Sequence, residues 1–302
     1  MLSSRGMDPA SKLRIGTSGF SFPDWVGSFY PPSTRRQEMF AQYVRQFRTV
    51  ELNYTFYRMP AAKTLERLAQ ASPPDFLFWI KANQRTTHEH DRTAAAEFLA
   101  NLEPLRAGSR LAGILMQFPQ NFHRTVANRR VLRDTVEDFK AVPLAVEFRH
   151  GSWDHPATYE GLRERGLTLV VPDVPPLGDL FHPEATVTSR IGYLRLHSRN
   201  AAQWYAGAVQ RYDYNYSDAE LTAICGVWNP LAEGADCVFV FFNNCRHGQA
   251  AKNARRFAEI AQANRGPGAT EGETPRVGRW LAPSSARAAA PGAGLSRGPE
   301  TS

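Results

Sequence analysis

Eight short runs of apolar or β-branched residues, separated by segments whose apolar residues recur at helical spacing, constrain this chain more than any other feature. The runs are Leu13–Phe20, Thr49–Phe56, Asp75–Asn83, Leu111–Phe118, Pro143–Arg149, Thr168–Asp173, Ile191–His197 and Asp236–Asn244. Between them Met39, Phe40, Tyr43, Val44 and Phe47 form a helical stripe, as do Val131, Leu132, Thr135, Val136 and Phe139. Phe98, Leu99, Leu102 and Leu105 form a third. A strand followed by a helix returns the chain to the same edge of the sheet, so this alternation predicts parallel strands with helices outside them.

Eight such units in about 250 residues match a closed barrel. The alternative, an open doubly wound sheet, lacks the glycine-rich dinucleotide fingerprint here. The expected fold is therefore α/β, a single (β/α)8 barrel of the triosephosphate-isomerase type over residues 13–263. Its sixth unit is irregular, because Val174–Arg190 carries Pro175, Pro176 and Pro183 and no helical stripe. A helix there is expected to be missing or very short. Residues 1–12 read as a flexible N-terminus. Residues 264–302, rich in Gly, Pro, Ala, Arg and Ser, read as a disordered tail.

Composition excludes several classes of protein. Of 302 residues 42% are hydrophobic, enough to build a sizeable core. The three cysteines, Cys225, Cys237 and Cys245, are too few and too unevenly spaced for a disulfide framework or a zinc ribbon. No run approaches the roughly 20 apolar residues of a membrane span, so no membrane partner is expected. The first twelve residues lack the apolar core of a signal peptide, which predicts a cytoplasmic protein, with Met7 as an alternative start. Lys plus Arg exceed Asp plus Glu by 36 to 29, a net +7 that permits an anionic partner without requiring one. The sequence says nothing of oligomeric state.

In a barrel, successive strand residues alternate between the helical shell and the lumen. The apolar residues fix the phase. Val50, Leu52, Tyr54 and Phe56 are assigned to the shell, leaving Glu51, Asn53 and Thr55 inside; likewise Trp79 and Lys81, Gln117, and Glu147 with Arg149. Ser18, Asp173, Tyr193, Arg195, His197 and Asn243 follow by the same rule. Every strand thus brings a polar residue to its carboxyl end, where barrel enzymes keep their chemistry. A buried, unpaired charge costs several kcal/mol, so these groups must pair with one another, with water or with a ligand. A salt-bridge lattice that merely plugs the barrel is the structural alternative.

Several strings resemble the YecE-like family, the domain-of-unknown-function family 72. They are Gly16-Thr17-Ser18-Gly19-Phe20 with Trp25 and Phe29-Tyr30-Pro31, then Val50-Glu51-Leu52-Asn53 with Thr55-Phe56-Tyr57, and Gln117-Phe118-Pro119. Ala145-Val146-Glu147-Phe148-Arg149-His150 with Ser152-Trp153 is the most distinctive, and Leu194-Arg195-Leu196-His197 and Phe241-Phe242-Asn243-Asn244 complete the set. The resemblance runs over residues 13–262 in order. It implies the same barrel and brings no activity with it. Ser198 departs from the pattern, since a glycine is expected after the histidine.

The leading expectation is an enzyme for a small anionic substrate, phosphorylated or carboxylated, working by acid–base chemistry as a hydrolase, lyase or isomerase. Glu147, His197, Glu51 and Asp173 would be catalytic, His197 for its near-neutral titration. Arg149, Arg195, Lys81, Asn53, Gln117, Asn243 and Ser18 would hold the substrate, with Lys81 kept charged by pairing to Glu51 or to an anionic ligand. Asn244, Arg246 and Gly248, at the start of a helix after the eighth strand, form a candidate anion site, though the same segment also reads as a plain turn and cap. No cofactor is favoured; a divalent metal, if bound, would take Glu51, Glu147, Asp173 and His197. Two other classes stay open: a metal-dependent phosphodiesterase acting on nucleic acid, and a non-catalytic ligand-binding protein. The aromatic segments Phe20–Tyr30 and Trp204–Tyr216 are either stacking loops or rim packing.

Overall fold

A computed structural model describes residues 12–264; the expectations for the extreme N-terminus and for the tail from residue 265 onward lie outside the described residues. Eight parallel strands form one sheet: β1 (Leu13–Thr17), β2 (Thr49–Leu52), β3 (Leu77–Lys81), β4 (Leu111–Gln117), β5 (Leu144–Glu147), β6 (Thr168–Asp173), β7 (Ile191–Leu196) and β8 (Cys237–Phe242). Their order is β1-β8-β7-β6-β5-β4-β3-β2. A parallel bridge between Ser18 and Glu51 joins the two ends of that order and brings the sheet round into a barrel. Closure is tight at this seam. A Cβ on Gly16 would sit 2.4 Å from the backbone oxygen of Thr49, so only glycine lets β1 and β2 approach.

The helices in chain order are α1 (Met39–Tyr43), α2 (Ala62–Ala71), α3 (Gln84–Thr87), α4 (Thr93–Asn101), α5 (Glu103–Ala107), α6 (Val126–Asp138), α7 (Pro156–Glu164), α8 (Ala208–Arg211), α9 (Asp218–Gly234) and α10 (Gln249–Ala263). Ser217 caps α9 by accepting from the Glu220 N–H, while the Glu220 carboxylate accepts from the Ser217 N–H in return. No helix lies between β6 and β7, as the prolines of that connection predict. Among the described residues no helix is long and apolar enough to cross a membrane.

Burial splits the apolar residues into two groups separated by the sheet. The larger packs helices onto the outside of the strands and includes Val50, Phe78, Ile114, Val146 and Val240. The smaller fills the lumen: Leu77, Trp79, Leu115, Val170, Tyr193, Phe239 and Phe241 among others. Trp79 meets Tyr193 edge-on at 4.7 Å and Phe239 at 5.5 Å, which seals the barrel below its polar layer.

Strand parity separates these groups correctly along the strands themselves, with one correction. Asp173 shares the phase of Leu169 and Val171 and sits beside Leu196, all shell residues, so β6 does not turn it into the lumen. Most strands also stop earlier than their apolar runs. Strand β2 ends at Leu52, and Tyr54–Phe56 forms a 3-10 turn. Tyr54 and Phe56 therefore do not face the helical shell, contrary to the phase of the sequence: Tyr54 is exposed, and the Phe56 ring lies 4.0 Å from Nζ of Lys81. Residues beyond a strand end no longer obey a period of two.

Candidate functional site

The polar residues gather at the carboxyl ends of the strands in two layers. In the deeper one the Arg195 guanidinium, 1% exposed, lies between two carboxylates that are wholly buried. Its Nε and Nη2 donate to Glu51 at 2.9 and 2.7 Å, and its Nη1 donates to Glu147. Glu51 also accepts from the Ser18 hydroxyl and the Tyr193 hydroxyl, each at 2.6 Å. Burial raises the Tyr193 pKa well above its ordinary value, with the Glu51 charge adding to the effect, so the phenol remains a donor. Glu51 thus has both oxygens committed inside the protein.

Glu147 is equally occupied. Its Oε1 forms an ion pair with Arg149 Nε at 2.8 Å and receives His197 Nε2 at 3.1 Å, and its Oε2 receives Arg195. Burial pushes this carboxyl up, but the charges of Arg149 and Arg195 outweigh it and hold its pKa well below the usual range. An ionised Glu147 can only accept, so His197 donates from Nε2, and its bare Nδ1 accepts from the Asn243 amide at 2.9 Å. Burial first, then the Arg149 charge, push the His197 pKa down to about 3. His197 is a neutral, doubly held ring rather than a free proton shuttle.

The shallower layer is less complete. Lys81 donates to the Gln117 side-chain oxygen at 2.8 Å and rests over the Phe56 ring at 4.0 Å, and no carboxylate pairs with it among the described residues. The expected ion pair with Glu51 is absent because Arg195 already occupies that carboxylate. Burial, together with the Arg195 charge, pushes the Lys81 pKa down to about 7. Arg149 makes its contact to Glu147 through Nε, and its two Nη groups form no hydrogen bond among the described residues. Asn53 lies just past β2, and its side-chain oxygen is buried without a donor among the described residues.

Asp173 does not join this cluster. Its carboxylate receives Nε and Nη2 of Arg199, at 3.0 and 2.8 Å, and the Tyr216 hydroxyl at 2.6 Å. The four-residue metal set expected from the sequence is thereby broken up. Among the described residues no three His, Cys, Asp or Glu side chains gather in a way that could hold a metal ion. Arg199 and Tyr216 were missed because both lie outside strands, and Tyr216 is 43 residues from its partner. Tyr193 carried a usable signal, since it shares the phase of Arg195 two residues later on β7.

The segment after β8 is built from within. Asn244 is buried and donates to the Tyr214 carbonyl and to Asn253, each at 2.8 Å, so its side-chain amide has no N–H left for an anion. The Asp24 carboxylate accepts from the His247 N–H at 2.8 Å, placing a negative charge where a bound anion was expected. Gly248 has φ +75°, and a Cβ there would press on Ser28 at 2.3 Å; its role is the turn. The Arg246 Nε is buried without an acceptor among the described residues. Cys245 is no nucleophile, because burial raises its thiol pKa well above the usual value.

The turn at Ser198 needs no glycine. Its hydroxyl accepts from the Asn200 N–H at 3.0 Å, and its φ is not among the positive ones. The first aromatic segment is packing: Trp25 is fully buried and donates to the Cys245 carbonyl at 2.7 Å, and Tyr30 donates to the Phe20 carbonyl at 2.6 Å. In the second, Trp204 and Tyr212 bring their rings to 6.4 and 6.0 Å from His197, while Tyr205 is exposed.

The family model "Protein of unknown function DUF72" matches residues 14–277, the barrel and a short stretch beyond it. The chain belongs to the DUF72 family. A curated relative, the UPF0759 protein YunF of Bacillus subtilis, is 31% identical over 269 residues, covering 82% of this chain and 94% of its own length. The UPF0759 protein YecE of Escherichia coli is 27% identical over 176 residues, 55% of this chain and 60% of that protein. Among solved structures, a DUF72 family protein of Thermotoga maritima superposes with a TM-score of 0.77 at 37% identity, over 83% of this chain and 99% of the other. One from Enterococcus faecalis gives 0.73 at 26% identity, over 83% and 95%. The names of these DUF72 proteins carry no reaction.

Proposed function

We propose that the barrel mouth binds a small anionic substrate between Lys81 and Arg149 and that Lys81 exchanges its reacting proton. One observation carries this reading: Lys81 is a mostly buried amine at a strand end with a neutral amide and an aromatic ring for partners. Burial with no counter-charge disfavours the ammonium, and an incoming phosphate or carboxylate would supply that charge. Three cations, Lys81, Arg149 and Arg195, face two carboxylates, Glu51 and Glu147, so the mouth has room for one more negative charge. A titration point near 7 suits a general base or acid, because both forms are populated under working conditions.

The deeper residues serve this as a rigid platform. Glu147 orients Arg149 and His197, Arg195 pairs with both Glu147 and Glu51, and Ser18 and Tyr193 complete Glu51. The Asn53 oxygen would accept from a substrate hydroxyl or N–H next to the anionic group. Proton transfer of this kind is common to hydrolysis, elimination and isomerisation. Titration calorimetry with inorganic phosphate and with malonate tests the binding half. Saturable binding that weakens at least tenfold in Lys81→Met and in Arg149→Met is expected. Binding unchanged in both variants overturns the reading, as does tighter, steeply salt-dependent binding of single-stranded DNA.

A further inference from the structure

A groove on the outside of the barrel, between α6 and α7, is built like a second binding site. Its floor is apolar, made by Leu132 and Val136 of α6, Leu162 of α7, and Trp153. Its volume is about 190 Å³, below the roughly 300 Å³ at which pockets for drug-sized molecules begin. Ala157 and Gly161, one turn apart on α7, keep it open: a Cβ on Gly161 would meet nothing closer than the end of the Arg165 side chain, at 3.6 Å.

Four arginines surround this floor: Arg124, Arg129, Arg133 and Arg165. Arg133 pairs with Asp134 at 2.8 Å and Arg165 with Glu164 at 3.5 Å. Arg124 and Arg129 have no carboxylate partner among the described residues, which leaves the rim with two positive charges in excess. Arg124 is also held in place, because its Nε donates to Thr158 at 3.0 Å. An apolar slot under unmatched guanidinium groups is complementary to a small molecule with an apolar body and one anionic head. The chain's own C-terminal tail is a poor occupant, since its five arginines outnumber its three glutamates.

We infer that this groove binds a short amphipathic anion, its apolar body against Trp153 and Leu162 and its carboxylate or phosphate head between Arg124 and Arg129. The site lies on the helical shell, so it acts independently of the barrel mouth. Trp153 forms part of the floor, and its fluorescence reports occupancy. With octanoate or octyl phosphate as probe, the full chain should show a saturable fluorescence change, and whichever head binds more tightly identifies the source. The double variant Arg124→Gln/Arg129→Gln should weaken binding at least tenfold, and Gly161→Leu should abolish it. Octanol should bind at least tenfold more weakly than octanoate. No saturable change, equal binding of octanol, or undiminished binding in Gly161→Leu overturns the inference. So does a dimer in sedimentation that Gly161→Leu dissolves, because a second copy would then be the occupant.

Discussion

Two arginine–carboxylate clusters stand at the same end of this barrel, one arginine shared by two carboxylates and one paired with a single carboxylate, and they differ sharply in burial. In Glu51–Arg195–Glu147 every member is at most 1% exposed and each oxygen has a donor. In Asp173–Arg199 the side chains are 19% and 30% exposed. Water can replace a lost partner in the second cluster and cannot in the first. The deep cluster is internally satisfied, and the incompletely matched groups above it, Lys81 and Arg149, are the ones to which the proposed ligand is assigned. A carboxylate's depth, more than its position at a strand end, decides whether it can act on a ligand.

The largest expected effect comes from removing the shared cation. Arg195→Met leaves two buried carboxylates without their shared cation, and breaking a buried pair costs about 3–5 kcal/mol. Urea denaturation at pH 7 should show that loss or an unfolded protein. A loss below about 1 kcal/mol would mean that water reaches the deep cluster, and the contrast between the two clusters would fail.

The next effect is on pH dependence. The native chain protonates His197 near pH 3, whereas the unfolded chain does so near the ordinary 6.5. Between these values the unfolded state binds more protons, so stability falls as pH drops from 6.5, by up to about 1.4 kcal/mol per pH unit from this ring. Glu147 adds a second loss below its ordinary value of 4.5, since its native pKa is depressed. His197→Gln should flatten the upper part of this profile. An unchanged slope between pH 6.5 and 5 would show that the ring is not held neutral.

Much of this architecture is legible in the sequence, for a physical reason. Strand parity follows from steric alternation along a regular backbone, so Glu51, Glu147, Arg195 and Asn243 could be assigned to the lumen without a structure. Pairing is not legible in that way. Parity puts Lys81 and Glu51 on the same side, but which cation takes Glu51 depends on reach across the lumen, and Arg195 takes it with two hydrogen bonds from its planar fork. Asp173 shares the phase of the shell residues Leu169 and Val171, and Arg199 and Tyr216 hold it from loops, where no periodicity announces them. The groups that occupy the segment around Asn244 are hidden for a similar reason, because Tyr214 and Asp24 come from distant parts of the chain.

Lys81 gives a smaller but more diagnostic effect, because stability and binding should move in opposite directions. Its native pKa of about 7 lies below its ordinary 10.5, so between these values the unfolded state carries the extra proton and native stability rises with pH. At pH 6 the native chain bears a charge that burial disfavours. Lys81→Met should then be as stable as the parent or more so at pH 6, while losing anion binding. A variant both less stable and unimpaired in binding would make Lys81 a structural residue.

The smallest effect is expected at the rim, where it completes the comparison. Arg199→Met removes a bidentate partner from Asp173 but leaves the Tyr216 hydroxyl and solvent to serve the carboxylate. Partly exposed ion pairs contribute about 0–1 kcal/mol, and salt screens what remains. The change in stability should thus stay under about 1 kcal/mol and shrink further in 0.5 M salt. The corresponding loss in Arg195→Met should hardly respond to salt, because ions do not enter the deep layer. If both variants lost the same free energy with the same salt dependence, burial would not be what separates platform from mouth. Lys81 and Arg149 would then have no special claim to the ligand.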